Sequence, residues 1–183
     1  MVITNKIESY EKIIELNLNR FPEKVFKKDD VKEIEEFIKN NPAQYYAIRD
    51  KSKAGGLFKL KVLAKDIFKE IVGYEKFSIN ISSYNYINNQ KLVGEIYISD
   101  ERVACILSTN SSFSVRDAIA HPDYNLVSNI MDESLNKIPY FNDIYEYIVR
   151  NKLKNTIVEF AYFDIPIGVN KENIIIYELR TDY

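Results

Sequence analysis

Two glutamates near the end of the chain have the type and spacing to do chemistry. Glu159 lies in Thr156-Ile157-Val158-Glu159-Phe160-Ala161-Tyr162-Phe163, and Glu178 in Asn173-Ile174-Ile175-Ile176-Tyr177-Glu178-Leu179-Arg180. Both runs are rich in β-branched and aromatic residues and read as strands. Pro166, Gly168 and Asn170 between them are turn formers, so the pair reads as a long-looped hairpin with one carboxylate in each strand. Two carboxylates on one sheet face repel unless a cation or a proton sits between them. A hard divalent cation such as magnesium takes oxygen ligands and is often held by one or two carboxylates plus phosphates. Glu159 and Glu178 are therefore candidate metal ligands on a metal–phosphate platform. Alternation places Ile157, Glu159, Ala161 and Phe163 on one face of the first strand, and Ile174, Ile176, Glu178 and Arg180 on one face of the second. Apolar neighbours put both glutamates at the edge of a core, where a carboxylate needs a partner. Arg180 offers one, so a structural ion pair stands beside the metal reading.

A second group of charges lies earlier. Arg49 ends one strand, Lys51 and Lys53 flank Gly55-Gly56 in a polar loop, and Lys59 and Lys61 stand on the returning strand Phe58 to Leu63, whose strict alternation turns both lysines away from its apolar residues. Glycines let backbone amides approach a phosphate closely. Lysine meets phosphate oxygens as a point charge and arginine as a fork. The same pattern also describes an ordinary solvated hairpin with a basic face.

The rest of the inventory mostly excludes. With a single histidine and a single cysteine, no His/Cys zinc site of several ligands is available. His121 reads as a loop or cap residue, and Cys105, within Val103-Ala104-Cys105-Ile106-Leu107, as a buried inert thiol. No glycine motif of the Walker or dinucleotide type occurs. The chain has 183 residues, 46% of them hydrophobic and 28% charged, enough to pack a core. A net charge of −2 carries no basic footprint for nucleic acid. No apolar run is long enough for a membrane span, and Met1 to Tyr10 shows no secretory signal. The absence of disulfides fits a reducing compartment, so the cytoplasm is the expected location.

These residues must be positioned by a mixed set of elements. Helices are expected over Thr4 to Leu18, from Asp29 or Asp30 to Asn40, over Ala64 to Ile71 and over Asp143 to Asn151. Strands are expected at Gln44 to Arg49, Phe58 to Leu63, Lys76 to Tyr86, Leu92 to Ile98, Arg102 to Ser108 and in the terminal hairpin. Arg116 to Asp132 is ambiguous. Segregated helices and strands argue for an α+β fold of two lobes with antiparallel sheets. The expected division is an N-terminal lobe over 1–75 and a C-terminal lobe over 76–183.

Taken in order, the pieces resemble the ATP-grasp family. Asn5-Lys6 opening the first helix, Leu18-Asn19-Arg20-Phe21-Pro22 closing it and Asp29 to Phe37 in the second helix carry the first part of the likeness. Tyr45-Tyr46-Ala47-Ile48-Arg49 through Gly55-Gly56 to Lys59-Leu60-Lys61-Val62 has the layout of the family's glycine-loop hairpin, and Val158-Glu159-Phe160 with Ile176-Tyr177-Glu178-Leu179-Arg180 that of its acidic closing strands. The resemblance spans nearly the whole chain, through order and spacing rather than one diagnostic motif. It implies a nucleotide held between two lobes. ATP would be bound by Lys6, Arg49, Lys51, Lys53, Gly55, Gly56, Lys59, Lys61 and Glu95, with magnesium on Glu159 and Glu178 and with Arg180 and Arg116 in catalytic positions. The implied activity is an ATP-dependent ligase that joins a small-molecule carboxylate to an amine or thiol through an acyl phosphate. A non-catalytic descendant binding a ligand, a partner protein or a second copy is the alternative. Two departures matter: arginine stands at 49 where the family has lysine, and at 180 where it has an asparagine ligand.

Overall fold

The structure is a computed structural model that describes residues 3, 5–51 and 58–181. In chain order the elements are α1 (Lys6–Glu15), β1 (Glu23–Lys27), α2 (Val31–Asn40), β2 (Tyr45–Asp50), β3 (Phe58–Leu63), α3 (Ile67–Glu70), β4 (Lys76–Ile81), β5 (Gln90–Ile98), β6 (Arg102–Ser108), α4 (Val115–Ala120), β7 (Tyr124–Asn129), α5 (Phe141–Arg150), β8 (Ile157–Ile167) and β9 (Glu172–Arg180). The fold is α+β with two antiparallel sheets. Among the described residues no helix is long and apolar enough to cross a membrane.

The chain divides into two compact units, Met1–Arg20 with Asn88–Tyr183, and Phe21–Ile87. This differs from the division after residue 75 expected from sequence. β4 pairs with β1 and β2, which draws it into the smaller unit, and α1 is bonded to β9, which draws the N-terminus into the larger one.

The larger unit is built on a five-stranded sheet in the order β7-β6-β5-β8-β9. One face is apolar: Leu92, Ile96 and Ile98 of β5, Val103, Cys105 and Leu107 of β6, Val158, Phe160 and Tyr162 of β8, and Ile174, Ile176 and Leu179 of β9. Ile13 of α1 and Phe141, Ile144, Tyr147 and Ile148 of α5 join the same cluster, the last four at the three- and four-residue spacing of one helix face. Asn5 caps α1, its Oδ1 accepting the N–H groups of Ile7 and Glu8 at 3.0 Å each. Cys105 is buried in this core, which pushes its thiol up to about 11, as an inert thiol requires.

Asn19 ties the terminal hairpin down. Its side-chain amide is buried and donates to the carbonyls of Ile167, Glu172 and Ile174, while its Oδ1 accepts the N–H of Asn170. Its own N–H donates to the Tyr147 hydroxyl at 3.0 Å, and burial pushes that phenol up to about 12. The expected long loop of the hairpin is shorter than its sequence suggests. β8 continues to Ile167, and Asp164, Ile165 and Pro166 form an exposed irregularity within it.

The smaller unit has a four-stranded sheet in the order β1-β4-β2-β3. Phe26, Tyr46, Ile48, Val62, Phe77 and Ile79 cover one face, and Ile34 of α2 with Ile67 of α3 packs into the same cluster. The strict alternation expected of β3 is broken. Tyr46 pairs with Val62 and Ile48 with Lys59, two steps in β2 against three in β3. Lys59 thereby stands opposite a core residue and reaches Glu70 of α3, whereas Lys61 lies against Tyr84. The two lysines do not both turn away from the apolar residues, as the sequence suggested.

Candidate functional site

Three carboxylates line up across the middle of the larger unit's sheet. Glu95 of β5 stands opposite Glu159 of β8, and Glu159 opposite Glu178 of β9. Directly opposed residues of antiparallel strands share a face, with Cα atoms about 4.5–5.5 Å apart. The row exists because of a bulge. Phe160 pairs with Ile176 and Glu159 with Glu178, which leaves Tyr177 as an extra residue in β9. An extra residue resets the alternation. Ile174 and Ile176 before it and Leu179 after it all reach the core, so Glu178 and Arg180 turn to the opposite face. The expectation that these two share a face with Ile174 and Ile176 is corrected on this ground. The assignment of Glu159 with Ala161 and Phe163, away from the face of Val158 and Phe160, agrees with the structure.

Glycine contributes at Glu95. Gly94 has φ +150°, and a Cβ there would collide with the backbone carbonyl oxygen of Ile106. Only a residue without a side chain lets β5 and β6 come so close beside the acidic row.

Two cations answer the three anions. The Arg180 guanidinium donates from Nη2 to Oε2 of Glu95, and the same nitrogen lies 3.3 Å from Oε1 of Glu159. Lys6 Nζ is 3.5 Å from Oε2 of Glu178. Lys6 stands there because Ser9, buried and one turn further along α1, accepts the N–H of Leu179 at 2.7 Å and docks the helix on β9. The Glu159 and Glu178 side chains are 20% and 17% exposed. Burial raises the proton affinity of Glu159 above that of an ordinary carboxylate, Glu178 raises it further, and Arg180 opposes both.

Magnesium needs oxygens presented freely, in near-octahedral geometry. Arg180 holds one oxygen each of Glu95 and Glu159, and Lys6 faces one of Glu178. Among the described residues no group of three or more His, Cys, Asp or Glu side chains is placed to hold a metal ion. A guanidinium is donor-only and cannot ligate a cation. The donor set as it stands does not fit magnesium. The ion-pair reading of Arg180, drawn from sequence for one glutamate, is what the geometry displays for two.

The remaining candidates occupy separate places. Arg116 is exposed on α4, which opens with a reciprocal Ser114–Asp117 capping box. His121 closes the same helix as its C-cap. In the smaller unit, the Arg49 guanidinium lies 4.7 Å from the Phe58 ring centre, and Lys51 Nζ 3.9 Å from Glu23. Lys59 pairs with Glu70 at 2.6 Å, and Lys61 lies 3.5 Å from the Tyr84 ring centre. Exposed ion pairs contribute little, so an arriving anion can compete for the two lysines among them. Ser78, opposite Arg49 in the ladder, buries a hydroxyl with no hydrogen-bond partner among the described residues. Lys53, Gly55 and Gly56 lie outside the described residues. Sequence reasoning missed Ser9, Asn19 and Gly94, which position the row. No local pattern marks them, since each acts through a contact distant in sequence or across strands.

No protein-family model matches the chain, and no curated protein sequence matches it. Among solved structures it is similar to macrocyclase MdnC bound with precursor peptide MdnA from Microcystis aeruginosa MRC, at 13% identity and a TM-score of 0.51, over 98% of this chain and 51% of that one. It is likewise similar to ATP-grasp ligase PsnB complexed with minimal precursor, at 11% identity and a TM-score of 0.51, over 97% of this chain and 52% of that one. The chain has an ATP-grasp-like fold. It spans about half the length of these structures.

Proposed function

We propose that this chain binds ATP as an ATP-grasp-like module. The observation that carries the reading is the in-register Glu159–Glu178 pair, held with Arg180 and Lys6 on a fold of this class. Arg49, Lys51, Lys59 and Lys61 are the proposed phosphate-facing cations of the smaller unit, with Lys53, Gly55 and Gly56 of the same hairpin. The non-catalytic form of the reading is favoured by Arg180. Phosphoryl transfer relies on metal ions bridging phosphate oxygens and on freely positioned charge, and here two of the acidic groups are already engaged by an arginine.

A second reading is favoured by the close pairing of Glu159 with Glu178. It is a ligase in which a substrate carboxylate oxygen attacks the γ-phosphorus of ATP, ADP leaves, and an amine or thiol then displaces phosphate from the acyl phosphate. Arg180 and Arg116 would steady the transferring phosphoryl charge. The precursor peptide bound by MdnC makes a peptide carboxylate one substrate to try.

Thermal-shift titration with ATP tests binding. At a hundred times its Kd, ATP adds about 2.7 kcal/mol, which raises Tm by about 5–10 °C for a chain of this length. Arg49→Ala is expected to remove most of that rise. No rise at any ATP concentration defeats the nucleotide reading. Release of ADP that depends on added carboxylate and amine selects the ligase over the binding module.

A further inference from the structure

We infer that Arg180 is the resident cation of the acidic sheet face, seated between carboxylates where a divalent ion would otherwise be needed, so that what this face helps to bind is bound without magnesium. One guanidinium nitrogen contacts both Glu95 and Glu159, on adjacent strands β5 and β8, and its own strand β9 carries Glu178 beside them. Arginine suits this post better than a metal in one respect: it is covalently attached, always charged and aimed by its own strand. Lys6 supplies the second positive charge, from α1. Three carboxylates against two cations leave one net negative charge, too little to collect a strongly hydrated divalent ion from water. Without Arg180, three carboxylates would face Lys6 alone, a side chain that is 69% exposed. The row would then have the charge and the free oxygens to recruit a divalent ion. A metal site is thus latent in the sheet and is occupied by a side chain.

The magnesium-independence of nucleotide binding rests on the reading proposed above; the metal affinity of the sheet face does not. The test uses the full chain, Arg180→Ala, and Arg180→Ala combined with Glu178→Gln. Each is titrated with manganese alone, followed by electron paramagnetic resonance of the free ion and by thermal shift, and with ATP in the presence of magnesium or of EDTA. The expected result is no manganese uptake by the wild-type chain, one site gained in Arg180→Ala, and loss of that site when Glu178→Gln is added. ATP affinity of the wild-type chain should differ by less than about twofold between magnesium and EDTA, a change under about 0.4 kcal/mol. Stabilisation by ATP only with magnesium overturns the inference and leaves the nucleotide reading standing. Manganese binding by the wild-type chain that Glu178→Gln abolishes also overturns it, as does a folded Arg180→Ala that binds no more manganese than wild type. If ATP does not bind at all, the nucleotide reading fails and the manganese titrations still decide this one. If Arg180→Ala does not fold, the wild-type titration, alone and with Glu178→Gln, decides it.

Discussion

Ser9 accepts the backbone N–H of Leu179 at 2.7 Å, a bond that ties the first helix to the last strand. Leu179 lies between Glu178 and Arg180, so the contact that anchors α1 also fixes the two charged residues on either side. Ser9→Ala leaves a buried amide without an acceptor. We expect a loss of about 1–3 kcal/mol in urea unfolding with an unchanged m-value. A change below about 0.5 kcal/mol would show that water or another group takes the amide instead.

Asn19 satisfies three backbone carbonyls and one backbone N–H of the terminal hairpin from one buried side chain. Asn19→Ala is expected to cost about 3–5 kcal/mol, because several buried polar groups lose their partners together. Hydrogen exchange should show the loss concentrated at Gly168 to Ile176. Protection lost evenly over the whole chain, with the hairpin no worse than the rest, would contradict the local account.

Glu159 supplies a prediction with a definite sign. Its proton affinity is raised in the folded state by burial first and by Glu178 second. A carboxylate of this kind favours the folded state fully below its unfolded pKa, and the benefit is lost as pH rises through the folded value. Glu159→Gln cannot ionise, so its stability relative to wild type should improve steadily as pH rises from about 4 towards neutrality. Denaturant midpoints of both proteins across that range are the measurement. A Glu159→Gln stability that falls relative to wild type as pH rises would mean that the Arg180 ion pair outweighs burial.

Gly94→Ala would force a methyl group against the Ile106 carbonyl in a conformation that L-residues rarely adopt. A loss of about 3 kcal/mol is expected, with β5 and β6 separating next to Glu95. Near wild-type stability would show that the two strands have room to part.

The composition of the acidic hairpin and the parity of its first strand were readable in the sequence, but the parity of its second strand was not. Strands at Glu159 and Glu178 follow from local β-branched and aromatic content, and Cys105 follows from its apolar neighbours. The face of Glu178 depends on Tyr177 being an extra residue in the register against β8, a fact about another strand. The same limit hid the break in β3 that separates Lys59 from Lys61. Arg116 to Asp132 stayed ambiguous because the segment is two short pieces, α4 and β7, and neither is long enough to show a period. β4 could not be assigned to its unit from sequence, since its partners β1 and β2 both precede it and only the pairing reveals them.

Tyr177 is a position that the closing strand could lose and still keep its acidic row. With it gone from the gene, Ile176 would be followed directly by Glu178, and the ladder against Phe160 and Glu159 would run on without a kink. Leu179 would still face the oily interior, and both charges would still face away from it. A cousin with identical acidic letters and one fewer residue there would carry the same row on a straighter strand.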